Sequence, residues 1–173
     1  MVEMTIHSVR ASPMSPQRVV ILKEKGSSRY LPIWIGANEA DAIALKLQNI
    51  ELSRPLTHDL LQSVISGLGA KVEYIVVSEL KEDTFYARLS LTVDGTKLDI
   101  DSRPSDALAL AVRVKAPIFA EESVLEKAGI VLEEDADQSV PEAKVDEQEL
   151  KGLSAYKDFI DTLNLEDFKK RQS

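Results

Sequence analysis

The chain has 173 residues, of which 44% are hydrophobic and 29% charged, and it contains no cysteine. This length suits one domain, or one domain with an appendage, and the composition excludes a chain that is disordered throughout. The missing cysteines exclude disulfides, thiolate metal sites and cysteine nucleophiles. No stretch approaches the ~20 apolar residues of a membrane span, and the first residues lack the plan of a signal peptide. We therefore expect a soluble, cytoplasmic protein that does not enter a membrane.

The formal net charge of −8 is unevenly distributed. Residues 133–149 carry eight acidic side chains and one lysine, so the acidity belongs largely to this short segment. The preceding part of the chain is nearly neutral and has no basic stripe. An acidic total argues against sequence-independent binding to phosphate backbones, but only weakly here, because an acidic linker can be held away from a binding face.

Hydrophobic periodicity and turn residues predict the elements of the first 132 residues in chain order. Strands are expected at 2–9, 18–23 and 30–35, then helices over 37–50 and 58–68, with Thr57 as the N-cap of the second. Strands follow at 72–80, 85–93 and 96–101, and Asp94-Gly95 forms a hairpin turn before the last. A helix over 103–115, a strand over 117–120 and a helix over 122–128 complete the series. Strands arranged in hairpins predict a mixed α/β domain of the α+β type.

The most informative feature of the sequence is an internal repeat. Residues 33–45 align with residues 98–110 without a gap at an offset of 65, which places Asp41 opposite Asp106. Each copy reads as a strand, a tight connection and the start of a helix, with a strand hairpin upstream. We predict a mixed sheet built from two pseudo-repeated β-β-β-α units.

Beyond residue 132 the composition changes. Residues 133–149 predict a flexible acidic linker. Residues 150–173 predict an amphipathic C-terminal helix with one apolar stripe, formed by Leu150, Leu153, Tyr156, Ile160 and Leu163. A lone helix of this length is marginal in water, so it should dock on its own domain or on a neighbouring subunit. Both alternatives remain open.

Acidic residues around the repeat are candidate metal ligands. Asp101 ends a predicted strand, Asp106 follows in the first turn of the next helix, and Glu39 and Asp41 occupy corresponding positions in the first copy. Hard divalent cations prefer oxygen ligands, and a bound metal stabilises charge on a scissile phosphate. These four carboxylates are therefore predicted to hold Mg²⁺ or Mn²⁺.

Three further residues could complete a catalytic site. Arg103 could hold a phosphate oxygen, and His58 or Asp59 could act as a general base. Each of these residues also has a structural interpretation. Acidic side chains at helix N-termini stabilise the helix, and Arg103 could simply pair with Asp101 or Asp106.

Three segments resemble the hallmarks of the bifunctional nuclease domain family: IWIGANEA at 33–40, RPLTHDLL at 54–61 and DSRPSDALALA at 101–111. The resemblance extends from the first strand to about residue 132, and FIDTLNLEDF at 159–168 is similar to the tail of bacterial members. Members named for their activity cleave both DNA and RNA. The resemblance implies the same activity here, without assigning catalytic residues.

Two functional hypotheses follow. The leading one is a metal-dependent nuclease of low sequence specificity that acts on DNA and RNA. The alternative is a non-catalytic oligomeric module whose linker and terminal helix bind partners, which the missing basic stripe favours. Exposed strand edges in either case predict a homo-oligomer, dimer or higher.

Overall fold

The structure is a computed structural model that describes residues 1–11, 18–50 and 52–131. All of these residues belong to one compact unit, Met1–Glu134. The linker and the C-terminal helix predicted at 133–149 and 150–173 lie outside the described residues, and they stay predictions. Within the described part, no helix combines the length and the apolar character that a membrane span needs.

Eight strands and four helices make up the described chain. The strands are β1 Val2–Ala11, β2 Arg18–Glu24, β3 Arg29–Ile35, β4 Ala70–Lys81, β5 Thr84–Val93, β6 Thr96–Ser102, β7 Ile118–Ala120 and β8 Ile130–Val131. The helices are α1 Ala37–Leu47, α2 Thr57–Gly67, α3 Pro104–Val114 and α4 Glu122–Ala128.

The strands form one mixed sheet in the order β6-β5-β4-β7-β1-β2-β3-β8. The meander of β1, β2 and β3 and the meander of β4, β5 and β6 are antiparallel, and β7 joins them by pairing parallel to β4 and antiparallel to β1. Each meander leads directly into a helix, α1 or α3. The predicted mixed α/β fold is confirmed.

Helix α3 lies at the centre of the packing. It contacts β4 and β5 of the sheet and the flanking helices α1 and α2. Because it is covered on several sides, most of its residues are buried, and its alanines and leucines join one core with residues of both meanders. Its small alanines allow close approach of the neighbouring helices, so the first turns of all three helices can meet.

The two meander-helix units correspond at an offset different from the predicted one. Strands β3 and β6 have seven residues each, helices α1 and α3 have eleven each, and each pair begins 67 residues apart. The third helical positions are therefore Glu39 and Asp106, whereas Asp41 is the fifth residue of α1. The ungapped alignment at an offset of 65 was wrong at this point, because alanine and leucine recur in both helices and a shift of two residues still matches. Duplication itself stays a prediction.

Other differences concern element ends. Helix α1 ends at Leu47, three residues early, and Asn49 adopts the left-handed conformation at φ 54°. The N-cap of α2 is Leu56 and not Thr57, because the Asp59 carboxylate accepts a hydrogen bond from the Leu56 backbone N–H at 2.8 Å. Strand β8 was not predicted, because its two residues are too few to show a hydrophobic period.

Candidate active site

The first turns of α1, α2 and α3 bring four of the predicted site residues together. Glu39 is the third residue of α1, His58 is the second residue of α2, and Asp106 is the third residue of α3. Arg103 is the N-cap residue of α3. These four residues, called the helix-start cluster below, are connected by hydrogen bonds and ion pairs.

Asp106 lies at the centre of the helix-start cluster. Its Oδ1 atom is 3.1 Å from Nε2 of His58, and its Oδ2 atom accepts a hydrogen bond from Nε of Arg103 at 2.6 Å. Burial of the carboxyl raises its pKa, but the hydrogen bonds from Arg103 and His58 outweigh that effect and hold the pKa below its ordinary value. Asp106 is therefore an anion that orients both neighbours.

Arg103 connects two of the helix starts. Its Nη2 atom donates to Oε1 of Glu39 at 3.0 Å and to Oδ1 of Asp106 at 3.2 Å. The Glu39 carboxylate folds back over Gly36, so a β-carbon at this N-cap would displace the carboxylate. The Arg103 side chain remains 68% exposed despite its two partners. It can therefore meet an anion from solvent without leaving the helix-start cluster.

The imidazole of His58 is enclosed, with 7% of the residue exposed. When Nε2 carries the proton, it donates to Asp106, and Nδ1 is then the basic nitrogen. A carboxylate that fixes the tautomer and orientation of an imidazole is the arrangement that general-base catalysis uses. The helix-start cluster thus places an oriented base next to an exposed guanidinium.

Asp59 belongs to a neighbouring pair. Its Oδ1 atom accepts a hydrogen bond from Nε of Arg113 at 2.7 Å, while its Oδ2 atom caps α2. Burial raises the pKa of Asp59, and hydrogen bonds from the Leu56 backbone and from Arg113 bring it below its ordinary value. Both oxygens have structural partners, so His58 is better placed than Asp59 to exchange a proton.

Arg113 was not among the predicted site residues. Its side chain is only 2% exposed, and its Nη1 atom donates to the backbone oxygens of Ala42 on α1 and Ala109 on α3. Together with the bond to Asp59, these contacts fasten the three helices to one another. Arg113 lies four residues after Ala109, on a face where the other residues are apolar, and this position was the only signal in the sequence.

Two of the four predicted metal ligands lie apart from the helix-start cluster. Asp101 is exposed on β6 opposite Arg88 of β5, and Asp41 is exposed on α1. Among the residues that the structure describes, no group of three or more histidine or acidic side chains is close enough to hold a metal ion. Arg103 lies between the remaining carboxylates, so this arrangement does not fit a divalent cation unless the guanidinium moves. Metal binding stays a prediction.

The family model described as "Bifunctional nuclease domain" matches residues 20–133, which is more than half of the chain. This range leaves out β1 and the first residues of β2, and it includes the rest of the sheet and every member of the helix-start cluster. The helix-start cluster thus lies inside a recognised domain, and the chain belongs to the bifunctional nuclease domain family.

Individual relatives fall into two groups. Uncharacterized proteins from two strains of Mycobacterium tuberculosis are 40% identical over 167 residues, covering 96% of this chain and 98% of each relative. The rice protein named "Bifunctional nuclease 1" (Oryza sativa subsp. japonica) is 30% identical over 64% of this chain and 34% of its own length. "Bifunctional nuclease 2" of Arabidopsis thaliana is 30% identical over 60% of this chain and 33% of its own length.

Proposed function

We propose that this protein is a cytoplasmic nuclease that hydrolyses phosphodiester bonds in DNA and RNA with low sequence specificity. Membership of the bifunctional nuclease domain family supports this proposal, as do the printed names of the plant relatives. The observation that carries it is the helix-start cluster, in which one carboxylate, Asp106, orients both His58 and the exposed Arg103.

The proposed mechanism assigns one role to each side chain. Arg103 binds a non-bridging oxygen of the phosphodiester, for which its exposed, forked guanidinium is suited. A water molecule attacks the phosphorus while Nδ1 of His58 accepts its proton, and the bond from phosphorus to the leaving oxygen breaks. The leaving oxygen takes a proton from solvent. Asp106 stabilises the imidazolium that forms, and Glu39 keeps Arg103 in place.

Dependence on Mg²⁺ or Mn²⁺ is the second part of the proposal. A divalent cation would stabilise negative charge on the phosphate, and Asp106, Glu39, Asp101 and Asp41 are the proposed ligands. The first two are paired with Arg103 in the described arrangement. Metal binding therefore requires Arg103 to turn toward the substrate. The phosphate contact and the proton transfer proposed for Arg103 and His58 use protein groups alone.

The test is cleavage of single-stranded DNA and RNA by the purified full chain, with Mg²⁺, with Mn²⁺ and with a chelator. Asp106→Asn keeps the shape of the side chain and removes its charge, so activity should fall by about 100-fold or more. Asp101→Ala, purified in the same way, is the companion variant. Loss of activity in both variants would extend the site to Asp101, and loss in Asp106→Asn alone would confine it to the helix-start cluster. Equal cleavage by wild type and Asp106→Asn would reject the proposed site.

One observation favours the alternative, a non-catalytic oligomeric module. The outer face of α2 exposes the large apolar side chains of Leu60, Leu61 and Val64, and the C-cap residue Leu68 is exposed beside them. Contiguous apolar surface of this kind is typical of protein-protein contacts. A protein that cleaves neither nucleic acid under any metal condition, yet forms stable oligomers that Leu60→Ser and Val64→Ser dissociate, would favour this function.

A further inference from the structure

Strand β6 forms one end of the sheet within the described residues, so its outer side has no paired strand there. Six of its seven residues are exposed on both faces of the sheet, from Thr96 to Asp101. An open edge of this kind presents backbone N–H and C=O groups that readily pair with another strand.

The turn before β6 determines which backbone groups point outward. Asp94 and Gly95 both have positive φ, at 49° and 78°, and they join the directly paired residues Val93 and Thr96. In a two-residue hairpin the two residues next to the turn form both of the hydrogen bonds between them. Along the strand, residues whose backbone N–H and C=O face the paired strand then alternate with residues whose groups face away from it. The groups of Thr96, Leu98 and Ile100 therefore face β5. Those of three other residues face outward: Lys97, Asp99 and Asp101.

We propose that two copies of this chain pair antiparallel along β6, with Asp99 of one copy facing Asp99 of the other at a twofold axis. In this register Lys97 of each copy lies opposite Asp101 of the other, which forms two ion pairs of opposite charge. The outward N–H and C=O groups then all bond across the axis. This inference does not depend on the nuclease activity.

Charge and length select this register over its neighbours. A shift by two residues in one direction would place Lys97 opposite Arg103 and Asp99 opposite Asp101, which are like charges. The opposite shift would place Lys97 opposite Asp99, but it would move Asp101 beyond the end of the partner strand, opposite Gly95, so length alone disfavours it. A shift by one residue would turn the core side of one copy toward the solvent side of the other.

The same register also matches the side chains on the two faces. On the core side, Leu98 and Ile100 are 48% and 40% exposed, and each would lie opposite the other residue in the second copy. On the outer side, the two Asp99 carboxylates would approach each other. Each has Arg88 of its own copy at 3.7 Å, which offsets that repulsion.

Reversed charges test the pairing directly. Lys97→Asp alone and Asp101→Lys alone each place like charges opposite one another in a homodimer, so each should raise the dimer dissociation constant by about tenfold or more. Mixing the two variants places the acids at positions 97 and 101 of one copy opposite lysines of the other. The mixture should then form heterodimers about as tight as the wild-type dimer, measured by sedimentation velocity on the full chain.

A disulfide test fixes the register independently, because the natural chain has no cysteine. Hydrogen-bonded residues facing each other in an antiparallel pair have α-carbons about 5.5 Å apart, which a disulfide can span. Asp99→Cys should therefore crosslink two copies under mild oxidation. The matched control is Lys97→Cys, whose α-carbons would be roughly 13 Å apart, so it should stay uncrosslinked.

Three results would overturn the proposal. The first is a wild-type chain that stays monomeric at all accessible concentrations. The second is equal crosslinking of Asp99→Cys and Lys97→Cys. The third is a dimer that neither charge reversal weakens, which would place the contact elsewhere, with the apolar face of α2 as the next surface to examine. Circular dichroism of each variant confirms that loss of dimer is not loss of fold.

Discussion

Glu39 and Asp106 occupy the same position, the third residue of their helices, in the two meander-helix units, and both accept hydrogen bonds from Arg103. One cation from the second unit thus ties the two helix starts together. Since Arg103 is mostly exposed, Asp106 is partly exposed and His58 is buried, the helix-start cluster has a solvent-facing cation and an enclosed imidazole on either side of one carboxylate. This order, cation outside and base inside, suits a polyanionic substrate.

Arg103→Lys separates binding geometry from stability. Lysine keeps the positive charge but loses the fork that contacts both oxygens of Asp106 and reaches Glu39. Cleavage should fall roughly tenfold, which is about 1.4 kcal/mol of transition-state stabilisation. The free energy of unfolding should change by less than about 1 kcal/mol, because the arginine is mostly exposed. Initial rates and urea denaturation measure the two quantities. A large loss of stability with unchanged cleavage would give Arg103 a purely structural role.

The sequence predicted much of the fold because it follows from local rules. Asp94 and Gly95 formed the predicted hairpin turn, and the strands and helices predicted within the first 132 residues occur with small differences at their ends. The register between Glu39 and Asp106 could not be obtained in this way, because it depends on where each helix begins. The role of Arg113 depends on three helices meeting around one side chain, and no spacing within a single helix encodes that.

Arg113→Met tests whether the buried arginine holds the three helices together. Methionine preserves the apolar stem and removes the bonds to Asp59, Ala42 and Ala109, so the free energy of unfolding should fall by about 2 kcal/mol. Lys71→Met is the matched control, since the pair of Lys71 with Glu73 is largely exposed and should contribute less than about 1 kcal/mol. Chemical denaturation compares them. Equal effects would mean that Arg113 does not fasten the helices.

Acid should destabilise the protein partly through Asp106. Its pKa in the folded state lies below the ordinary value of 3.8, so the unfolded chain binds its proton more readily. The resulting stabilisation is present above about pH 4 and is lost as the pH falls through the folded pKa. Between about pH 5 and pH 2, the free energy of unfolding of Asp106→Asn should therefore decline less than that of wild type.

Asp41→Asn, which removes an exposed carboxylate on α1, is the control and should follow wild type. Identical slopes for all three proteins would show that Asp106 gains nothing from its partners.

Two glycines should respond in opposite directions to the same substitution. Gly95 has a φ of 78° in the turn before β6, where a β-carbon is strained although the space around it is open. Gly95→Ala should therefore lower the free energy of unfolding by about 1 kcal/mol. Gly67 is the last residue of α2, and a β-carbon there also meets nothing within 4 Å, but its backbone is helical. Gly67→Ala should raise the free energy of unfolding by about 0.5 kcal/mol, because alanine restricts the unfolded chain more than glycine does. Thermal and urea denaturation of both variants measure the sign of each change in the free energy of unfolding.

If Gly95→Ala were neutral, the turn would be free to adopt another form, and the alternation of inward and outward backbone groups along β6 would lose its basis. The same substitution therefore also checks the strand geometry on which the proposed pairing of two copies depends.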